Sequence, residues 1–251
     1  MKTLLTISAL AGLSFTTAQA ATITWDDGAG NDDWSSGANW DAPEVAPANG
    51  DSVILTTTAQ SILDYAWTIE SGQSLTTTAT GFGDELVLQS DSILTLATGG
   101  TMDIQFMRPR FSSGGNFVIE AGASLNTDNY GLSAISATIT YEADAAGVTT
   151  WNNDGQFQMG GDNLVIDLSS YDVSNGKVLT LVDYDLFADL SGQTFGSISI
   201  IPTAGGIAGP VDYQYDLGGG NLAIVVFVPE PSSTALLGLG GLALMLRRRR
   251  S

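Results

Sequence analysis

The chain contains no cysteine and no histidine in 251 residues, and only eight of its side chains are lysine or arginine. The missing residues exclude disulfide bonds, thiol nucleophiles, His–Asp triads, zinc sites of the usual ligand set and imidazole acid–base chemistry. Charged residues make up only 14% of the chain, whereas 43% are hydrophobic and 30 residues are glycine. This composition is unlike that of a helical cytosolic enzyme and favours an all-β protein.

The charge is strongly one-sided. The formal net charge is -19, and between residues 21 and 228 the only basic residues are Arg108, Arg110 and Lys177. A surface this negative repels phosphate groups, so we expect no nucleic-acid partner. Asp supplies 21 of the 27 acidic residues, and Asp favours turns and loops over helix interiors. The acids are therefore interpreted as turn residues that keep an exported β protein soluble.

The N-terminus has the pattern of an export signal. Lys2 is followed by an apolar run over residues 4–13 and then by the small-residue sequence Ala18-Gln19-Ala20. This pattern predicts a secretory signal peptide over residues 1–20, cleaved between Ala20 and Ala21. The apolar run is shorter than the ~20 residues that a membrane-spanning helix needs.

The C-terminus carries three elements in order. The sequence Pro229-Glu230-Pro231 comes first, an apolar stretch over residues 234–246 follows, and the chain closes on Arg247, Arg248, Arg249, Arg250 and Ser251. The prolines hold the chain extended, which suits a segment that a processing enzyme must grip. The apolar stretch predicts a short, transient transmembrane helix, and the four arginines act as a stop-transfer signal that stays cytoplasmic.

Residues 228–251 resemble the PEP-CTERM sorting signal of bacterial exported proteins. In that family the signal is read by exosortase, an inner-membrane cysteine transpeptidase, and the cargo is released or attached beyond the membrane. The resemblance implies that Pro229, Glu230 and Pro231 form the recognised motif and that this chain is a substrate of exosortase. A plain single-span anchor with a proline-rich stalk is the alternative.

Three tryptophans lie close together near the start of the body. Trp25, Trp34 and Trp40 stand among polar turns ahead of Gly50-Asp51. They are predicted to form an aromatic cap over the open end of a β core. The alternative is that these rings, with Trp67, are platforms on which sugars stack. This opening resembles the N-terminal segment of many exported bacterial β-helix and autotransporter-associated proteins.

An internal repeat indicates the architecture. A strand, bend and strand recur at residues 67–76, 86–95 and 117–126, with 19 residues from Ile69 to Leu88 and 31 from Leu88 to Ile119. This spacing predicts a solenoid, specifically a single-stranded right-handed parallel β-helix, with an inserted loop over residues 105–115. A β-sandwich is the alternative fold.

The last third of the body is predicted to consist of strands and turns. Asn175-Gly176 separates the apolar runs 164–168 and 177–182, which predicts a β-hairpin. Residues 195–201 and 222–228 are predicted to be two further strands. Antiparallel hairpins are therefore expected to cap the C-terminal end of the solenoid.

One segment resembles a calcium-binding repeat. Residues 27–34 approximate a single copy of the Gly-Gly-x-Gly-x-Asp-x-apolar nonapeptide, with Asp27 where the first glycine belongs. Such sites draw their oxygen ligands from consecutive turns, and no second copy follows. A calcium ion near Asp26, Asp27, Asp32 or Asp33 is thus a minor hypothesis, and no cofactor is expected.

A catalytic role is the next question, since polysaccharide lyases are found among β-solenoids. Those enzymes need a basic side chain to abstract a proton, and only Arg108, Arg110 and Lys177 are available. An acidic body would also repel uronate substrates. We therefore expect a non-enzymatic protein.

The sequence predicts three parts: a signal peptide over residues 1–20, a β-solenoid body over 21–227 and a sorting signal over 228–251. The predicted function is that of a structural or adhesive protein of the cell surface or extracellular matrix. Its expected partners are exosortase, the inner membrane during transit and an extracellular polysaccharide. The alternative function is a carbohydrate-binding or polysaccharide-degrading β-helix.

Overall fold

The computed structural model describes the body of the chain and leaves both ends outside. The described residues are 21–41, 43–56, 60–78, 84–104, 107–111, 114–128, 130–131, 137–158, 161–171, 178–187, 196–202, 212–216 and 221–225. Within them the chain forms nineteen β-strands and a single 3-10 turn over Gly37–Asn39. The expected signal peptide and the expected transmembrane helix over residues 234–246 lie outside the described residues.

The strands form three sheets, which we name A, B and C. Sheet A contains, in spatial order, β1 (Thr22–Trp25), β2 (Ser52–Leu55), β5 (Ser74–Thr77), β8 (Thr101–Ile104), β11 (Ser124–Thr127), β14 (Trp151–Gln158), β16 (Val178–Phe187), β19 (Asn221–Val225) and β18 (Asp212–Asp216). A short strand, β12 (Tyr130–Gly131), pairs with the end of β14. From β1 to β16 every pairing in sheet A is parallel, and only β19 and β18 run antiparallel.

Sheets B and C are wholly parallel. Sheet B contains β3 (Ser61–Leu63), β6 (Asp84–Leu88) and β9 (Met107–Phe111). Sheet C contains β4 (Ala66–Ile69), β7 (Ile93–Leu96), β10 (Asn116–Glu120), β13 (Thr138–Glu142), β15 (Asn163–Asp167) and β17 (Ser197–Ile201). Because the chain visits A, B and C in turn, three successive coils contribute a strand to every sheet. The prediction of a parallel β-solenoid is confirmed, as is the antiparallel C-terminal hairpin, and the β-sandwich is not formed.

The pairing register between strands shows how many residues each coil contains. In sheet C, Trp67 pairs with Leu94, Leu94 with Phe117, and Phe117 with Ile139. Successive coils therefore advance by 27, 23 and 22 residues. Strands on neighbouring coils stack about 4.8 Å apart.

Alternation of apolar and polar residues builds the core. Side chains at every second strand position point inward, and these columns are buried from coil to coil. The inward column of sheet A is Ile23, Val53, Leu75, Met102, Leu125, Trp151 and Val182. The outward positions carry mainly Thr, Ser, Asn, Asp and Glu, so each strand has one face in the core and one in solvent.

The bends between strands require a left-handed backbone. Gly72, Gly99 and Gly122 occupy the corner between sheets C and A with φ values of +81°, +78° and +79°. They also hydrogen bond along the axis, with the amide of Gly72 donating to the carbonyl of Gly99 at 3.0 Å. At the corner between sheets B and C, Asp91 and Gly114 have φ values of +69° and +89°. Glycine and aspartate therefore serve the same purpose at two different corners.

This equivalence explains an error in the predicted repeat. The copies at 67–76 and 117–126 turn the corner from sheet C to sheet A, whereas the copy at 86–95 turns the corner from B to C. The intervals of 19 and 31 residues thus compared different corners. The inserted loop expected over 105–115 is also wrong, because residues 107–111 form β9 of sheet B.

One other local prediction was wrong in its pairing. Asn175 and Gly176 lie outside the described residues, but the strands on either side of them do not form a hairpin, since β15 lies in sheet C and β16 in sheet A. The strands expected at 195–201 and 222–228 are formed, as β17 and β19, although residues 226–228 lie outside the described residues. Strand β19 pairs antiparallel with both β16 and β18, and β18 was not predicted.

Candidate functional site

The predicted tryptophan cap closes the N-terminal end of the solenoid. Trp25, Trp34 and Trp40 are fully buried, and Trp67 on β4 is 1% exposed. Adjacent rings meet edge to face: Trp34 lies 5.1 Å from Trp40 and 5.3 Å from Trp67, measured between ring centroids. Trp25 lies 4.9 Å from Trp40 with an interplanar angle of 79°. The rings therefore form one continuous cluster, and the prediction of an aromatic cap is confirmed.

Packing rather than hydrogen bonding holds this cluster together. The indole of Trp40 donates to the carbonyl of Trp34 at 2.9 Å, and that of Trp67 donates to the carbonyl of Ala48 at 3.1 Å. The buried indole N–H groups of Trp25 and Trp34 have no hydrogen-bond acceptor within the part of the chain that the structure describes. A buried donor without a partner costs stability, so ring contacts must account for the stability of the cap.

The burial of these rings bears on the sugar-platform alternative. A platform needs at least two exposed, coplanar ring faces, whereas Trp25, Trp34 and Trp40 contact one another at steep angles and show no solvent-exposed surface. This arrangement is the one expected of a structural cap.

The acidic loop after β1 is organised around a buried asparagine. Asn39 is fully buried, and its side-chain amide donates to Oδ1 of Asn31 at 2.6 Å and to the carbonyl of Asp33 at 2.9 Å. Its Oδ1 accepts from the amide of Ala29 at 2.8 Å. The role of Asn39 was not predicted from the sequence, where it stands out only as the neighbour of Trp40. Asn39 fixes the loop that carries Trp34 and Trp40 onto the core.

The same loop was the hypothetical calcium site. Burial raises the pKa of the Asp32 carboxyl above its usual range, and the nearby carboxylates of Asp27 and Asp33 raise it further. The Oδ1 atom of Asp26 accepts from the amide of Gly28 at 3.0 Å. Among the described residues, no group of three or more acidic side chains is arranged to hold a metal ion.

The outer edges of the first strands are covered in all three sheets. In sheet A, the backbone amide of Thr24 donates to Oδ1 of Asp41, and its carbonyl accepts from the amide of Asp41, both at 2.9 Å. In sheet B, Ile62 exchanges backbone hydrogen bonds with Asp32 and Trp34 at 2.7 and 2.9 Å.

Sheet C is covered in the same way. The amide of Thr68 on β4 donates to Oδ1 of Asn49 at 2.9 Å. In this way Asp32, Trp34, Asp41 and Asn49 occupy positions where a further coil would otherwise pair. An edge covered in this way is protected from pairing with another chain.

Two of the three basic residues of the body lie on a described strand. Arg108 and Arg110 lie on β9, where their backbones pair with Glu85 and Val87 of β6. Lys177 lies outside the described residues.

The predicted signal peptide and the C-terminal motif flank the body in the sequence. Ala21, the residue after the predicted cleavage point, directly precedes β1. At the other end, β19 ends at Val225, four residues before Pro229. Glu230, Pro231 and Arg247 to Arg250 lie outside the described residues. No helix in the described part is long and apolar enough to cross a membrane.

The fold and its closed N-terminal end define a capped β-solenoid. Residues 227–250 match the PEP-CTERM protein-sorting motif. This match includes Pro229, Glu230, Pro231 and the arginine cluster, so the resemblance seen in the sequence is confirmed. The chain carries a PEP-CTERM motif, which marks it as an exported protein addressed to exosortase. No curated protein and no solved structure matches the chain.

Proposed function

We propose that this chain is a non-enzymatic structural or adhesive protein of the cell surface or extracellular matrix, delivered there through its C-terminal motif. The proposal rests on one observation: the same chain contains a PEP-CTERM motif and a solenoid body. The motif directs the chain out of the cell, and the body is a rigid stack that offers long, regular faces.

The proposed route has three steps. The signal peptide starts export and is removed after Ala20. The apolar stretch over residues 234–246 then halts in the inner membrane, with Arg247 to Arg250 on the cytoplasmic side. Exosortase finally recognises Pro229, Glu230 and Pro231, which the prolines hold extended outside the membrane. The body leaves the inner membrane only after this last step.

Two features support a structural or adhesive role over a catalytic one. The tryptophan rings that were candidate sugar platforms are buried in the cap. The acidity of the body disfavours acidic polysaccharide substrates, because like charges repel. Release of new reducing ends from the producing cell's own polysaccharide by the purified protein would contradict the non-enzymatic role.

The sorting step is tested with Glu230→Ala. Because Glu230 supplies the only charge in the Pro-Glu-Pro motif, its loss should leave an unprocessed precursor in the membrane fraction, heavier than the mature protein by the uncleaved tail. Mass spectrometry and fractionation of the cell envelope measure both effects. Glu70→Ala, which removes an exposed carboxylate from the body, is the matched control and should be processed normally. A normally trimmed Glu230→Ala product would contradict the proposal.

A further inference from the structure

The backbone of Ala21 lies beside a carboxylate. The nitrogen of Ala21 is 3.1 Å from Oδ1 of Asp51, thirty residues further along the chain. The carbonyl of Ala21 accepts a hydrogen bond from the amide of Ser52 at 2.8 Å. Ala21 is thus bound through both backbone groups to the start of β2, at the point where the pairing of β1 with β2 begins.

The carboxylate of Asp51 is held in position by its own turn. Its Oδ2 atom accepts from the amide of Ala48 at 3.0 Å, and its amide donates to the carbonyl of Ala48 at 3.1 Å. Gly50, with φ of +106°, provides the left-handed bend that this turn needs. One carboxylate oxygen is therefore fixed by the turn, and the other is directed at the nitrogen of Ala21.

We propose that Asp51 is a binding site for the α-ammonium group that signal-peptide cleavage creates at Ala21. The inference rests on the proposed cleavage after Ala20. Hydrolysis of the Ala20–Ala21 peptide bond consumes one water, leaves a carboxylate on Ala20 and frees the amine of Ala21, which takes up a proton. A neutral amide donor to Asp51 is thereby replaced by a cation with three N–H donors.

The replacement strengthens the contact only after export. The carboxylate of Asp51 is charged before and after cleavage, but the ammonium group adds the opposite charge, so Coulomb attraction is added to the hydrogen bond and the first strand of the solenoid is held more tightly once the signal peptide leaves. A cleavage point displaced by one residue would move the ammonium group by about 3.8 Å and break the contact. The position of Asp51 therefore fits Ala21 as the mature N-terminus.

The pH dependence follows from the same pair. A carboxylate partner raises the pKa of an α-ammonium group, so the added stability is present below its usual value of about 7.7–8.0 and is lost as the pH rises through the raised value. Among the described residues, Tyr65 and Asp64 are further titratable groups near this turn, and the hydroxyl of Tyr65 donates to the carbonyl of Pro47 at 2.8 Å. Burial raises the pKa of Tyr65, and Asp64 and Asp51 raise it further, so Tyr65 stays neutral throughout this range.

The sequence allows a clean experiment. Lys2 and Lys177 are the only lysines, and Lys2 leaves with the signal peptide. In a Lys177→Arg background, the α-amine of the exported protein purified from the producing cell is its sole amine. Acetylation then removes the terminal charge, whereas reductive dimethylation retains it. We expect acetylation to lower the melting temperature by roughly 1–4 °C at pH 6.5 and dimethylation to change it less.

The matched control is Asp51→Asn in the same background, where acetylation should cost no more than dimethylation. An equal loss on acetylation in the Lys177→Arg protein and in its Asp51→Asn variant would overturn the inference. Mass spectrometry of the same samples reads the N-terminus. A terminus other than Ala21 would refute the proposed cleavage, whereas an Ala21 terminus with no Asp51-dependent effect would refute the ion pair alone.

Discussion

The two ends of the solenoid are terminated differently. At the N-terminal end, the first strand of each sheet has its outer edge covered by residues 32–49, and four tryptophans cover the core. At the C-terminal end, sheet C stops at β17 within the described part of the chain. Ile198 and Ile200 on β17 are only partly buried, although the preceding positions in their columns are fully buried. The N-terminal end is thus closed against head-to-tail growth by stacking, which a solenoid otherwise invites.

Acidic side chains also have different neighbours in the two halves. Near the N-terminus, Asp41 and Asp51 each accept hydrogen bonds from backbone amides. In the later coils, Glu120, Glu142 and Asp167 pair in register on sheet C, and although Glu120 and Asp167 also accept from the amides of Thr98 and Ser169, Glu142 lies between two other acids. Carboxylates that bind amides stabilise the fold, whereas carboxylates stacked about 4.8 Å apart repel one another.

The largest expected effect separates the two ends. Trp34→Ala should lower the free energy of unfolding by about 3–5 kcal/mol, because it removes a fully buried ring from the centre of the cap. Chemical denaturation measures the loss. Ile200→Ala, at the other end, removes a partly buried side chain and should cost only roughly 1–2 kcal/mol. Equal losses would mean that the cap contributes no more than the opposite end.

A smaller effect tests the covered edge. Asp41→Ala removes the side-chain acceptor for the amide of Thr24 and should lower the free energy of unfolding by about 0.5–1.5 kcal/mol. It should also promote association through β1, which sedimentation at increasing concentration would detect. Asp41→Asn keeps an acceptor oxygen and serves as the control. Unchanged stability and a monomeric Asp41→Ala variant would show that the edge needs no cover.

The smallest expected effect is a gain in stability. Burial raises the pKa of Glu142, and the carboxylates of Glu120 and Asp167 raise it further. A raised carboxyl pKa means that the folded state binds the proton more tightly, so stability falls as the pH rises from the usual value of about 4.3 through the raised value. Glu142→Gln should therefore stabilise the protein by about 0.2–1 kcal/mol at pH 7 and by nothing below pH ~4.

Thermal unfolding between pH 4 and 8 measures this gain. Glu70→Gln is the matched control, because Glu70 follows β4 in the same outward column but has Ala97, not an acid, beside it on the next coil. An equal gain from Glu70→Gln would assign the effect to net charge and not to the stacked carboxylates.

The positions of most strands could be predicted from the sequence, whereas the strands with which they pair could not. The bends at Gly72 and Asp91 both have a positive φ, so the two corners look alike in sequence. The predicted repeat therefore aligned segments that turn different corners. The strand over Met107–Phe111 was missed because Pro109 argues against a central strand. Its position at the edge of sheet B explains why the proline is tolerated.

The cap was predicted from the spacing of Trp25, Trp34 and Trp40, but its supporting residues were not. Asn39, Asp41 and Asn49 act on backbone groups that are distant in sequence. No local pattern reveals such a contact, because it exists only once the strand edges have been brought beside the loop. The same is true of Asp51, whose partner Ala21 is supplied by the pairing of β1 with β2.

The sequence alone determined the C-terminal sorting motif and the strand-forming character of the body. Signal peptides and sorting motifs are read as linear segments, and alternation of apolar residues is a local property of each strand. Tertiary structure alone decided which strands share a sheet, which corner each bend turns and which carboxylates bind amides or face one another. Those outcomes depend on the length of each coil, which sets the register between residues 22 to 34 positions apart and leaves no local trace in the chain.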